Sequence, residues 1–329
     1  MFVLRRARAL VALLVVVLAL WAFAGPIAAR GVEPGLKVAF FGDQGLTPEA
    51  RAVLRLVRDE GADMVLHLGD FDYADDPDAF EAQIDRVLGP DFPYFAVIGN
   101  HDVKAWPAYQ AKLEARLRRI PGAACEGALG TMAACTYRGL FFTMSAVGIW
   151  PEGGGPADAV AERPAHVRFI AERMAGSDAR WKVCAWHKNQ HAMQVGRKRD
   201  ETGWGVYEAC REAGAIIATG HEHSYSRTHL IKAFGERPVV ASRDATLSID
   251  KGRTFVFVSG LGGRSARPRL GRGVPDPWWA AVHTRDRGAT AGALFCTFAP
   301  GGRQGRADCA FKAVNGDVID RFGLVRPGD

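Results

Sequence analysis

The chain has 329 residues, 48% of them hydrophobic and 24% charged, which is ordinary for a globular protein and excludes a chain too polar to form a core. Its formal net charge of +6 suits an anionic partner, but the arginines are scattered rather than clustered along the chain. No specific nucleic-acid partner is therefore indicated.

Residues 1–29 have the composition of an export signal. A basic stretch, "MFVLRRARAL", precedes the apolar stretch "VALLVVVLALWAFA", and candidate small-residue cleavage sites lie at its end, Ala22-Phe23-Ala24, and at Ala28-Ala29. These features predict a signal peptide, and its cleavage would release the protein into the periplasm or the extracellular space. The alternative is an uncleaved N-terminal membrane anchor, and contact with a membrane is expected only in that case.

The six cysteines are compatible with disulfide bonds in an exported protein. Two pairs close short local loops and are predicted to be bonded: Cys125–Cys135 and Cys296–Cys309. Cys184 follows an apolar pattern typical of a strand and Cys210 one typical of a helix. Either of them also fits a plain buried thiol, so their state stays open.

Five apolar runs after residue 36 are typical of strands that are covered on both faces. Each run ends in a side chain that can bind a metal ion. The runs and their ends are "LKVAFFGDQG" with Asp43, "ADMVLHLGD" with Asp70, "YFAVIGNHD" with Asn100, "WKVCAWHKN" with His187, and "AIIATGHEH" with His221 and His223. Open α/β sheets bind ligands at the carboxyl ends of their strands, so we expect these side chains to meet at one edge.

Helical patterns lie between the apolar runs. Thr47 is a suitable N-cap with Pro48 at the first helical position, and an apolar face continues to residue 57. A similar spacing covers 80–88, and further helices are predicted around 108–118, 165–175 and 205–213. This alternation of strands and helices predicts an α/β fold, and "TFVFVSG" adds a later strand.

Carboxylate, amide and imidazole ligands suit iron, manganese or zinc. The strand ends supply more ligands than one ion needs, so two ions sharing the Asp70 carboxylate are expected. Such a pair of cations would also stabilise the crowded negative charge in the turn "GDFDYADD". Sites with two ions about 3.5–4 Å apart are a recurring solution for hydrolysing phosphate esters.

The motifs "GDQG", "GDFDY", "GNHD", "WH" and "GHEHSYSR", spread over residues 38–227, resemble the motif blocks of the calcineurin-like metallophosphoesterases in the same order. Gly45 stands where much of that superfamily has a histidine, and Tyr73 stands where the purple acid phosphatase branch has a tyrosine ligand. Tyr225 and Arg227 also match that branch. The fourth motif departs from it, because Lys188 replaces the proline that often follows the histidine.

The resemblance implies a metallophosphoesterase-type β-sheet sandwich flanked by helices, formed by a single catalytic domain over residues 36–329. It implies a dinuclear site at the strand ends, with Fe(III) at the tyrosine ligand and Fe, Zn or Mn at the second position. The implied ligands are Asp43, Asp70, Tyr73 and His223 for the first ion, and Asp70, Asn100, His187 and His221 for the second.

The implied reaction is hydrolysis of a small phosphorylated substrate, a phosphomonoester, by metal-activated water. His101 is placed to protonate the leaving group, Asp102 is expected to orient the His101 imidazole, and Lys188 and His191 are candidates for contact with substrate. A phosphodiesterase or nucleotide hydrolase on the same metals is the alternative. A non-catalytic metal-containing binding protein is the less favoured one.

Three further features are interpreted as structural. His67, inside a strand, is expected to be a packed histidine rather than a ligand. Trp278 and Trp279 are expected to pack, and the glycine-rich stretch 260–273 is typical of a loop at the rim of the site rather than of a dinucleotide-binding turn.

Overall fold

The computed structural model describes residues 31–150, 153–270 and 276–327. The predicted signal peptide or anchor at 1–29 lies outside these ranges. Within them, no helix combines the length and the apolar character needed to cross a bilayer.

The described residues form five α-helices, and each helix predicted from the sequence corresponds to one of them. Their bounds are Pro48–Asp59 (α1), Pro77–Leu88 (α2), Trp106–Leu117 (α3), Pro156–Ala175 (α4) and Gly205–Glu212 (α5). The α1 helix begins as predicted, because the Thr47 side chain accepts a hydrogen bond from the Ala50 N–H. Helix α4 begins well before the predicted residue 165 and runs through Pro164.

The strands fall into two large sheets and one two-stranded ribbon. In chain order they are Lys37–Phe41 (β1), Met64–His67 (β2), Tyr94–Ala96 (β3), Ala124–Ala128 (β4), Met132–Tyr137 (β5), Leu140–Ser145 (β6), Lys182–Trp186 (β7), Ile216–Thr219 (β8), Tyr225–Thr228 (β9), Leu230–Ala233 (β10), Val239–Ser242 (β11), Thr246–Ser248 (β12), Val256–Ser259 (β13), Trp279–His283 (β14), Gly292–Phe298 (β15), Arg306–Ala313 (β16) and Val318–Val325 (β17). The first sheet has the order β12-β17-β16-β15-β1-β2-β3, the second has the order β14-β9-β13-β8-β7-β6-β5-β4, and β10 pairs with β11.

The five strands that carry the motifs are divided between the two large sheets. Strands β1, β2 and β3 run parallel in the first sheet, and β7 and β8 run parallel in the second. Parallel neighbours end at the same edge, so each sheet presents its motif residues together. The edges meet at Gly42, whose N–H donates to the carbonyl of Ser259, the last residue of β13, at 2.8 Å. The predicted β-sheet sandwich flanked by helices is therefore confirmed.

The two sheets share a buried core. The Phe40 ring on β1 meets the Phe257 ring on β13 edge to face, with centroids 5.3 Å apart. A buried ion pair joins the same layers, because Asp320 on β17 accepts hydrogen bonds from Nε and Nη2 of Arg227 on β9 at 2.6 and 3.0 Å. The Tyr225 hydroxyl donates to the same carboxylate at 2.7 Å, so Tyr225 and Arg227 of the fifth motif hold the two sheets together.

All six cysteines are in disulfides. The two predicted pairs are confirmed as cross-strand bonds of antiparallel hairpins. Cys184 on β7 is bonded to Cys210 on α5, which resolves the state of these two residues that the sequence left open. The sequence left this pair open because 26 residues separate the two cysteines.

Candidate metal centre

Four side chains predicted for the first metal position converge on one point. The Tyr73 hydroxyl lies 3.2 Å from Asp43 Oδ1, 3.1 Å from Asp70 Oδ2 and 3.3 Å from His223 Nε2. His223 Nε2 is also 3.4 Å from Asp43 Oδ1. Donor atoms held at about 2.1 Å from one cation are themselves roughly 3.0–3.4 Å apart, so this spacing fits a transition-metal ion.

A second cluster shares Asp70 with the first. His187 Nε2 lies 3.2 Å from Asp70 Oδ1 and 3.1 Å from His221 Nδ1. Ligand atoms of these three buried residues all fall within 4.8 Å of one another. Because the two oxygens of Asp70 face different clusters, this carboxylate is placed to serve two ions.

Asn100 supplies a further donor beside the second cluster. Its Oδ1 atom is buried and has no hydrogen-bond partner among the described residues. Burying an amide oxygen without a partner is costly, and a cation at the second cluster would satisfy it. The donor set and the unpaired oxygen together fit a dinuclear centre.

Burial and charge set the protonation of these ligands. Burial alone would raise the pKa of Asp70, but the nearby His187 outweighs it and holds the pKa well below the usual value. Burial first, and then the charges of Asp43 and Asp70, raise the pKa of Tyr73 far above its usual value. A phenolate at Tyr73 therefore requires a cation in the first cluster.

The three histidines are oriented by acceptors behind them. His187 Nδ1 lies 2.7 Å from the Leu68 carbonyl, and His223 Nδ1 lies 3.1 Å from the Ser265 carbonyl. His221 Nε2 lies 2.8 Å from Oε2 of Glu201. Because an acceptor requires a proton on that nitrogen, the opposite nitrogen of each ring turns a lone pair toward the centre.

The turns that carry the ligands have unusual backbone conformations. Among the described residues other than glycine, seven have positive φ, and four of the seven are the predicted ligands Asp43, Asp70, Tyr73 and His221. Such strain is typical of functional sites. At Gly69 (φ +87°) a Cβ atom would lie 2.6 Å from His187 Nδ1, so glycine is required for the approach of this turn to His187.

Lys188 is buried beside the second cluster rather than solvated. Its Nζ lies 2.8 Å from Oε1 of Glu201 and 4.1 Å from the centre of the Trp150 ring. These three side chains, together with Asn100 and His221, line a cavity of about 330 Å³. Glu201 is not predictable from the sequence, because its contact with His221 bridges twenty residues and no motif includes it.

His191 does not line the cavity that contains Lys188 and Glu201. Its Nδ1 is 3.0 Å from the Lys198 carbonyl, and its side chain lines a separate cavity of about 240 Å³ with Trp278 and Trp279. The two tryptophans are largely buried, as predicted. The prediction that His191 contacts substrate has no support from this placement.

His101 stands exposed at the mouth of the site, with its ring centroid 4.5 Å from that of Tyr73. Asp102 does not orient it, so this prediction is wrong. The buried Asp102 carboxylate instead accepts hydrogen bonds from the backbone N–H groups of Asp70, Phe71 and Gly99 at 2.9, 2.8 and 2.6 Å. Its role is to hold the strained turn that presents Asp70.

His67 packs as predicted and does not reach the ligand clusters. Its Nδ1 accepts a hydrogen bond from the Gly69 N–H at 3.2 Å, and its ring stacks on Tyr94. Burial lowers the pKa of His67 to about 3, so the imidazole is neutral.

The glycine-rich stretch forms part of the rim as far as Leu270, while 271–275 lie outside the described residues. The Arg264 N–H donates to the Asp43 carbonyl at 3.0 Å, and the Arg267 N–H donates to the His223 carbonyl at 2.8 Å. These bonds attach the loop to two predicted ligands of the first metal.

The fold and the paired ligand clusters agree with the family that the sequence motifs resemble. Residues 36–225 match the family model described as calcineurin-like phosphoesterase, which covers more than half of the chain. The chain belongs to this family. No curated protein sequence matches it.

Solved structures share the fold at low sequence identity. The purple acid phosphatase PPD1 from yellow lupin (Lupinus luteus) seeds is 17% identical with a TM-score of 0.63, over 90% of this chain and 55% of its own. The chain thus spans about half the length of that phosphatase. GAP50, described as the anchor in the inner membrane complex of Plasmodium, is 12% identical with a TM-score of 0.57 over 89% of each chain. PhoD is 13% identical with a TM-score of 0.53, over 90% of this chain and 70% of its own.

Proposed function

We propose that this protein is an exported phosphatase that hydrolyses phosphomonoesters at a dinuclear metal centre. The observation that carries the proposal is the pair of ligand clusters that share Asp70. The Fe(III) assignment rests on Tyr73 in the first cluster, and Fe, Zn or Mn suits the amide and imidazoles of the second. When bound, the two ions supply positive charge for the phosphoryl oxygens and lower the pKa of water.

The protein's own side chains complete the reaction. Hydrolysis breaks the bond between phosphorus and the ester oxygen, water adds to phosphorus, and the departing oxygen takes a proton. His101 is exposed beside Tyr73, and its imidazole has no hydrogen-bond partner among the described residues, so it is free to donate that proton. Lys188 lines the cavity with its ammonium paired to Glu201, and it is the candidate for contact with an anionic substrate there.

Export is supported by the three disulfides, which form and persist in oxidising compartments. The predicted signal peptide, with release into the periplasm or the extracellular space, agrees with them. The uncleaved anchor remains the alternative form of the same exported protein.

Turnover of 4-nitrophenyl phosphate and of bis(4-nitrophenyl) phosphate by protein loaded with iron, zinc or manganese tests the proposal. We expect faster hydrolysis of the monoester, and Asp70→Asn should abolish it because this change weakens both metal positions. A clear preference for the diester would establish the phosphodiesterase alternative. Hydrolysis of neither ester with any of the metals would favour a binding role, and GAP50 is an example of this fold described as an anchor.

A further inference from the structure

We infer that Arg264, assisted by Arg267, forms an anion-binding subsite beside the metal centre. This subsite selects phosphomonoesters whose alcohol part carries a second anionic group, such as a carboxylate. The inference rests on the proposed function and adds to it the class of substrate.

The position of Arg264 depends on two neighbours in the centre. Its guanidinium carbon lies 4.2 Å from the centre of the Tyr73 ring, a distance typical of a cation–π contact. Its Cδ lies 3.3 Å from where a Cβ would stand at Gly45, which has φ +77°. The missing side chain at Gly45 thus leaves the space in which the Arg264 side chain crosses the tyrosine.

The loop that carries the two arginines is anchored to the centre at both positions. The Arg264 N–H bonds to the carbonyl of Asp43, and the Arg267 N–H bonds to that of His223. The His223 ring bonds in turn to the Ser265 carbonyl. These contacts fix where each arginine side chain begins.

The Arg264 guanidinium remains available to a ligand, and the charge of Arg267 also acts on the buried Glu222. Arg264 and Arg267 are exposed, and neither forms an ion pair with a carboxylate of the described residues. The ion pairs of other arginines, such as Arg116 and Arg227, occupy their charges. An unpaired arginine beside a phosphoesterase centre is suited to bind a carboxylate or phosphate in a bidentate manner.

The direction of the leaving group places it within reach of Arg264. The group departs on the side of His101, the proton donor. The His101 ring and the Arg264 guanidinium both lie within 4.5 Å of the Tyr73 ring centre, so they are no more than about 9 Å apart. A carboxylate a few bonds beyond the ester oxygen spans that distance, whereas an uncharged alcohol gains nothing from Arg264.

The test measures binding, so that it does not depend on turnover. The metal-loaded protein is titrated by calorimetry with 4-carboxybenzylphosphonate and with benzylphosphonate, which differ only by the distal carboxylate. We expect the carboxylated ligand to bind about tenfold more tightly to the wild-type protein, as one charge-assisted contact allows. Arg264→Gln should bring the ratio of the two affinities (carboxylated to uncarboxylated ligand) close to one. It should leave the affinity for benzylphosphonate within about twofold of wild type.

Three variants complete the comparison. Arg264→Lys should keep part of the preference for the carboxylated ligand, because lysine keeps the positive charge. Arg267→Gln should reduce this preference less than Arg264→Gln does. Arg55→Gln, an exposed arginine on α1, is the matched control and should leave the ratio unchanged. Metal content and circular dichroism confirm that each variant is folded and loaded.

The remaining outcomes overturn the subsite. A ratio near one in the wild-type protein, with benzylphosphonate still bound, would refute the subsite alone. If Arg264→Gln weakens the binding of both phosphonates equally, Arg264 acts only through Tyr73 and the metal. If metal-loaded protein binds neither phosphonate, the subsite and the proposed function are both wrong.

Discussion

The carboxylate of Glu201 lies 2.8 Å from Nε2 of His221, and its other oxygen lies 2.8 Å from Nζ of Lys188. Burial opposes ionisation of Glu201, but the hydrogen bond from His221 and the charge of Lys188 lower its pKa to about 2. An ionised Glu201 only accepts hydrogen bonds, so it fixes the His221 tautomer that leaves Nδ1 free for a metal.

We therefore expect Glu201→Gln to weaken binding at the second metal position by about 10–100-fold, since glutamine can present either an acceptor or a donor to His221. Competition with a chelator measures the affinity of each position. Glu212→Gln, an exposed carboxylate at the end of α5, is the control. Unchanged affinity in Glu201→Gln would show that His221 is oriented without it.

Tyr73→Phe should abolish the visible absorption band of iron-loaded protein, because that band requires phenolate coordinated to Fe(III). Absorption spectra before and after substitution provide the measurement. Tyr109→Phe removes a hydroxyl that is bonded to Asp72 instead, so it should keep the band. A wild-type spectrum without the band would rule out tyrosinate coordination.

His101→Ala should slow hydrolysis of alkyl phosphates by about 100-fold and affect 4-nitrophenyl phosphate much less, because only a poor leaving group needs a proton. Values of kcat for the two substrates give the comparison. His229→Ala, a partly buried histidine on another loop, is the control. Equal effects on both substrates would contradict the proton-donor role.

Asp320→Asn should lower the free energy of unfolding by about 3–5 kcal/mol, because it leaves the Arg227 guanidinium buried without a counter-charge. Chemical denaturation measures this loss, and Asp308→Asn on the exposed side of β16 should cost little. A loss as small as that of the control would show that water replaces the carboxylate between the sheets.

His166 predicts a pH dependence of stability. Burial lowers its pKa to about 4, and its Nδ1 lies 3.0 Å from the Ser145 hydroxyl. The unfolded chain has a pKa near 6.5 and takes up the proton first, so stability should fall by about 3 kcal/mol as the pH drops from about 6.5 to 4. His166→Gln does not titrate and should reduce this slope in denaturation curves recorded across that range. An identical slope in both proteins would mean that His166 is accessible to protons when folded.

The strand ends were predictable because each motif joins an apolar run to a polar turn, and such turns meet at a sheet edge. The division of these strands between two sheets was not predictable from the runs themselves. Strand β4, with the sequence "ACEGA", is fully exposed and has no apolar pattern to reveal it.

Contacts made across loops were beyond the sequence for a different reason. Asp102 follows His101 directly, yet adjacent side chains in this turn diverge, and the carboxylate reaches the backbone of Asp70 instead. Glu201 reaches His221 from a polar segment without periodicity. Such partners depend on where a loop folds back, which local residue patterns do not encode.

The bond between Cys184 and Cys210 links the metal centre to the conditions under which the protein matures. Cys184 lies on β7, which ends at Trp186 directly before His187, and the disulfide joins that strand to α5. Protein produced in a reducing cytosol would therefore present His187 at the end of a less constrained strand, and reconstitution with metal should begin from oxidatively folded material.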